Sequence, residues 1–183
     1  MKHLLRVLIF LPVLALVSAC AAPAAQEQMV AVQPAPVSTS NSLNGKIGSP
    51  IVTGGQETSP LWTSEISDSG FQTALEESLR QAGLLSSDGS MTLTAQLLDV
   101  EQPFGGFDLT VKTTVRYMLK NANGRIVYDK TIRAAHTSTV SDAFAGVKRL
   151  RLANEGSARA NLALLIQDLK SLGARSSISA LTS

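Results

Sequence analysis

The stretch Phe107 to Leu119, FDLTVKTTVRYML, decides how the rest of the chain is read. Phe107, Leu109, Val111, Val115, Tyr117 and Leu119 fall on odd positions, and Asp108, Thr110, Lys112, Thr114 and Arg116 on even ones. Alternation with period two marks a strand with one buried and one wet face. At about 3.3 Å per residue the run would span roughly 40 Å, about twice the usual strand, which suits a central strand that neighbours pair against.

Working outward, Asn121-Ala122-Asn123-Gly124 is the clearest turn signal, because Asn-Gly accepts the positive φ of hairpin turns. A return strand is expected from about Arg125 to Thr137, with Ile126, Tyr128, Ile132 and Ala134 on one face and His136 continuing it. On the other side, Met91, Leu93, Ala95 and Leu97 alternate with polar residues, and then Leu98 and Val100 take over the apolar phase. A one-residue slip would turn every later side chain to the other face, so a bulge near Leu97 and Leu98 is expected. Gln102 to Gly106, QPFGG, joins this strand to the central one.

Helical spacing appears twice. Phe71, Ala74, Leu75, Ser78, Leu79 and Ala82 share one face, with N-cap candidates at Ser67 to Ser69 and a glycine C-cap at Gly83. Leu150, Ala153, Ala158, Leu162, Leu165, Ile166, Leu169 and Leu172 form the stripe of a second, longer helix that Gly173 is expected to end. Its middle, Ala153 to Ala160, is made of small residues around Asn154 and Glu155. Lys46 to Val52 reads as a weak first strand, with Pro50 arguing for an edge position or a break. The expected fold is α+β in two layers: an antiparallel sheet of three or four strands with two helices on one face, in the order β-α-β-β-β-α.

The beginning of the chain reads as an address. Lys2 and Arg6 precede an apolar run from Val7 to Val17, and small residues lead to Cys20, the only cysteine. Residues 1–19 are therefore expected to be an export signal, and the apolar run is short for a bilayer span. The junction resembles a bacterial lipobox, in which Cys20 would become the lipidated, palmitate-bearing N-terminus. With Ala21 rather than Asp next, that resemblance implies sorting to the outer membrane, on its periplasmic face. Residues 20–45, rich in Ala, Pro, Gln and Ser, are expected to form a disordered tether with a mean span of about 25–30 Å. Residues 46–173 would be the periplasmic domain and 174–183 a fraying tail.

The formal charge of +2 includes Lys2 and Arg6, and the remaining 14 basic residues balance 14 acidic ones. Without a basic excess, nucleic acid is not an expected partner. With Cys20 the only cysteine, the domain has no disulfide and no thiol ligand or nucleophile. No glycine-rich phosphate loop, carboxylate cluster or ligand spacing is readable, and no cofactor or metal is expected. Trp62, the only tryptophan, is either a plug over the core edge or a binding-site aromatic. Phe104 is either a contact on a glycine-flexed loop or a tucked hairpin cap. Arg116 is on the wet face of the central strand and offers a third contact point. His136 is a strand-end histidine or a general base. Glu155, with Arg151 and Arg159 four residues to either side, reads as a solvated charge ladder.

VTGG at Val52 to Gly55, SPLW at Ser59 to Trp62, FQTALEESLRQAGL from Phe71, TVKTTVRYML from Thr110 and DAFAGVKRLRLANEGSARANLALLI from Asp142 resemble a family of small proteobacterial outer-membrane lipoproteins of uncharacterised role. The element order is also similar, more loosely, to YajG-like lipoproteins and to auxiliary lipoproteins of envelope transport systems. Members of the family are sometimes labelled UDP-N-acetylglucosamine acyltransferase. The residues do not support that label, because enzymes of that kind are built from hexapeptide repeats and none occurs here.

The leading functional expectation is a non-catalytic, membrane-anchored adaptor or accessory subunit of an envelope protein complex. One alternative is a binding module for envelope lipid or glycan, with a groove near Trp62 and Phe104. An acyltransferase-type enzyme is the other, with His136, Glu155, Arg151 and Arg159 as its polar candidates.

Overall fold

The computed structural model describes residues 21–32, 35–59 and 63–181, with side chains omitted for 178–181. Its elements are α1 (Gln26–Met29), β1 (Ile51–Thr53), α2 (Asp68–Gln81), β2 (Thr92–Glu101), β3 (Leu109–Lys120), β4 (Ile126–Ser138) and α3 (Gly146–Leu181). The strands form one sheet in the order β1-β2-β3-β4. The class is α+β as expected, with one difference: β1 pairs parallel to β2, so the sheet is mixed. A parallel neighbour needs a crossover, and α2 supplies it.

β3 is the central strand. Leu109, Val111, Thr113, Val115, Tyr117 and Leu119 point inward and are buried. Phe107 does not join them, since the strand begins at Leu109 and Phe107 is exposed in the preceding loop. The expected bulge is found as a register shift between Leu97 and Asp99. It leaves Leu98 half-exposed and returns Val100 to the core side, opposite Thr113. In the β3–β4 hairpin, Asn121 Oδ1 accepts from the backbone N–H groups of Asn123 and Arg125. Ile126 lies beside an irregularity at the end of the ladder and is exposed rather than inward-facing.

Ser67 caps α2 by accepting from Gly70 N–H at 3.2 Å. The helix buries Phe71, Leu75 and Leu79 completely, each stabilising by roughly 1.5–3 kcal/mol relative to exposure. Leu84 folds back with its N–H on Leu79 O at 2.9 Å, the expected glycine-type C-cap. α3 lies across β3 and β4 and buries Leu162, Leu165, Ile166 and Leu169.

Two expectations about the ends fail. The segment after Ala21 is not a free tether: Met29, Ala31 and Leu43 are buried in the main core. The reason is backbone bonding as much as apolar area. Ala31 N–H donates to Ser78 Oγ at 2.9 Å, Val37 N–H to Ala82 O at 2.8 Å, and Lys170 Nζ to Ala35 O at 2.8 Å. The described parts of this strap run along α2 and α3. Nor does Gly173 end α3, which continues to Leu181. Gly173 is buried, and a Cβ there would collide with the Asn41 side chain of the strap. The glycine is a seat for Asn41, whose Nδ2 donates to Lys170 O at 3.1 Å, and Ser42 Oγ donates to Gly173 O at 3.0 Å.

Candidate functional surfaces

Between α3 and the inner sheet face lies a dry polar seam. Asn161, fully buried, accepts from Tyr117 Oη at 2.8 Å and donates to Thr113 O, Thr113 Oγ1 and Ile132 O at 3.1–3.2 Å. Thr113 Oγ1 donates in turn to Ser157 O at 3.2 Å. Burial and the loss of hydration hold the Tyr117 hydroxyl well above its ordinary pKa, so it stays a donor. Nearer the start of α3, Asn154 Nδ2 donates to Ser64 O at 2.6 Å, and Gln102 Nε2 reaches Ser64 O and Glu65 Oε2. These bonds fix the sliding position of α3 on the sheet, because a shift of the helix would break several buried hydrogen bonds at once.

The small-residue centre of α3 has a steric cause. His136, on the inner side of β4, packs so closely on Gly156 that any Cβ there would overlap the imidazole. His136 is thus a half-buried packing group seated on a helix.

Glu155 is not on a solvated ladder. Its side chain is only 2% exposed, and Oε1 accepts from Ala25 N–H at 2.9 Å. Arg151 Nε lies 3.3 Å away as an ion pair without hydrogen-bond geometry, while Arg159 Nη1 donates to Gln28 O at 2.7 Å. Burial pushes the Glu155 carboxyl above the usual range, opposed first by the Ala25 hydrogen bond and then by the two arginines. Sequence spacing found the charges, but not that the strap would cover them.

The outer sheet face is open. Arg116 lies there in a bidentate pair with Asp129 at 2.7–2.9 Å, and Lys112 pairs with Glu101 at 3.0 Å. A concavity of about 480 Å³ on this face is lined by Asp99, Glu101, Lys112, Thr114 and Arg133. The Arg133 side chain, on a residue paired with Thr114 in the ladder, makes no hydrogen bond or ion pair among the described residues. β4, of 13 residues, is the free edge.

One end of the sheet carries the three most exposed large apolar side chains among the described residues. Phe104 and Phe107 in the β2–β3 loop are 111% and 83% exposed, and Phe144 in the β4–α3 loop is 92% exposed. Phe104 is therefore not a tucked cap, and Phe107 and Phe144 are exposed aromatics beside it that the sequence did not single out: alternation puts Phe107 in the strand, and nothing local marks Phe144. Arg149, itself buried, ties the two loops together: Nη1 donates to Ala143 O at 2.8 Å and Phe144 O at 2.5 Å, and Nη2 to Gly106 O at 3.3 Å.

Phe104 and Arg116 are thus on separate surfaces, a loop tip and a sheet face. Cys20 and Trp62 lie outside the described residues. Among the described residues no group of three His, Cys, Asp or Glu is placed to hold a metal ion, and no helix is long and apolar enough to cross a membrane.

No protein-family model and no curated protein matches the chain. Solved structures do. A protein described as a lipoprotein from Caulobacter crescentus superposes with a TM-score of 0.55 at 15% identity, over 76% of this chain and 98% of that one. A Xanthomonas campestris protein of the DUF330 family superposes at 0.57 and 12% identity, over 80% and 95%. At such identities the likeness is one of fold, and it carries no acyltransferase with it: this chain has a fold found among small proteobacterial lipoproteins of uncharacterised role.

Proposed function

We propose that the protein is a lipid-anchored, non-catalytic adaptor of the cell envelope, held at the periplasmic face of the outer membrane through Cys20 and docking a protein partner on the open sheet face. The observation that carries this reading is the uncovered outer face, which runs without a break to the free edge of β4. An edge strand of this length presents unpaired backbone groups to an incoming strand, and the charged concavity beside it, with Arg133 and Asp99, supplies side-chain selectivity. The lipobox around Cys20 and the lipoprotein identity of a structural neighbour support the anchor.

The groups that enzymatic chemistry would call on are engaged in building the fold: Glu155 holds the strap and His136 seats on Gly156. A lipid or glycan site between α2 and α3 would have to displace the strap from its buried seat. The test is in-cell photocrosslinking from Thr131 and Arg133. Repeated capture of one envelope protein is the expected result, and capture of lipid or glycan alone at both positions would sink the adaptor reading.

A further inference from the structure

From the joint position of the phenylalanine tip and the emerging N-terminal chain, we infer that the end of the sheet carrying Phe104, Phe107 and Phe144 is a membrane-docking surface that seats in the lipid interface beside the Cys20 anchor. The inference rests on Cys20 being lipidated. Of the five phenylalanines in the chain, Phe10 lies in the export signal and Phe71 in the core, and the other three are these. Three large apolar side chains on two adjacent loops make a patch that a water-facing surface rarely keeps. The loops are held by the Arg149 guanidinium, so the rings stand on a braced platform.

The position of the chain's beginning selects lipid as the occupant. Ala24 N–H bonds to Glu65 O at 3.1 Å and Ala25 N–H to Glu155, which fixes the strap's first residues near the N-terminal part of α3. From Glu155 back to Gly146, where α3 begins beside the tip, is about 13–14 Å of helix. Ala21, the residue after Cys20, is buried on the domain, and Glu65, which holds Ala24, accepts at Oε2 from Gln102 Nε2 at 3.0 Å, at the start of the Phe104 loop. A diacylated Cys20 would therefore leave the domain at the sheet end that carries the phenylalanines, so that acyl chains and rings enter one surface together. Asp108, Asp142 and Lys148 flank the tip, so the attraction is apolar rather than a basic patch on anionic lipid.

The test uses the full-length lipoprotein, reconstituted in phosphatidylethanolamine and phosphatidylglycerol vesicles. An environment-sensitive fluorophore is attached to a new cysteine in F104C, F144C or, at the hairpin end, N123C, with Cys20 blocked by its lipid. Blue-shifted emission quenched by spin-labelled lipids at positions 104 and 144, with position 123 unaffected and no response to added salt, is the expected result. Emission at 104 and 144 as water-like as at 123 in membrane-bound protein would overturn the inference. Protein that carries no lipid would overturn the anchor reading instead. The unlipidated chain then decides the tip by vesicle flotation: loss of roughly tenfold or more of the binding in F104S/F107S/F144S supports it, and equal binding overturns it.

Discussion

Arg116 and Tyr117 are neighbours on β3, yet they belong to different physical regimes. Arg116 faces outward and holds Asp129 in a bidentate pair, both side chains partly exposed to water. Tyr117 faces inward, fully buried, and its hydroxyl has one partner, Asn161. The outer bond has the better geometry on paper and contributes little, because water offers both ions almost the same interaction. The inner bond is a single neutral contact whose loss leaves groups stranded without water. The face that looks richer in interactions is the one open to water, and the quieter one holds the fold together.

The comparison can be broken most sharply at Asn161. Asn161→Ala strands Tyr117 Oη and the carbonyls of Thr113 and Ile132 and opens a cavity. Unfolding in urea should show a loss of about 3 kcal/mol or more. If the loss is under 1 kcal/mol, the seam does not hold α3. Next comes Gly156→Ala, which sets a methyl group against His136 and should cost about 1–3 kcal/mol. Adding His136→Ala should recover most of that, and a double variant no better than the single one would mean the cost lies elsewhere.

Glu155→Ala tests the strap. Hydrogen exchange at the backbone amides of residues 24–31 should quicken by an order of magnitude or more while β3 stays protected, as for a locally opened segment. Acidity sharpens the same point. Burial raises the Glu155 carboxyl above its ordinary 4.5, so the folded chain keeps a proton that the unfolded chain has lost. Stability from this group is fully present below 4.5 and declines as pH rises through the raised value. Glu155→Gln should flatten that decline in a series of melts across the acidic range. The smallest effect is expected at Arg116→Ala, with a thermal midpoint indistinguishable from the parent's, since the pair is wet on both sides.

Much of the fold was legible because it is written in local periodicity. The alternation along β3, the Asn-Gly turn, the slip at Leu97 and Leu98 and the Gly83 cap each depend on residues close together in sequence. What was not legible depends on long-range seats. Residues 21–45 look like a tether because Ala, Pro and Gln bring little apolar area. They order because backbone N–H groups find Ser78, Ala82 and Glu155, residues 45 to 130 positions away. Gly173 looked like a stop signal because nothing local reveals that Asn41 needs its missing side chain. The candidate surfaces followed the same division. Arg116 on the wet face was readable from alternation, whereas the grouping of Phe104, Phe107 and Phe144 required knowing that two loops distant in sequence share one end of the sheet.

The strap also sets how the protein searches for what it engages. A coil of some two dozen residues would let an anchored domain sample the depth of the compartment beneath its membrane. The described residues from Ala21 onward are instead laid along α2 and α3, and Ala21 itself is buried. On the proposed anchoring at Cys20, the domain would be confined to a thin layer and would explore a plane rather than a volume, so it would meet only partners that reach that layer.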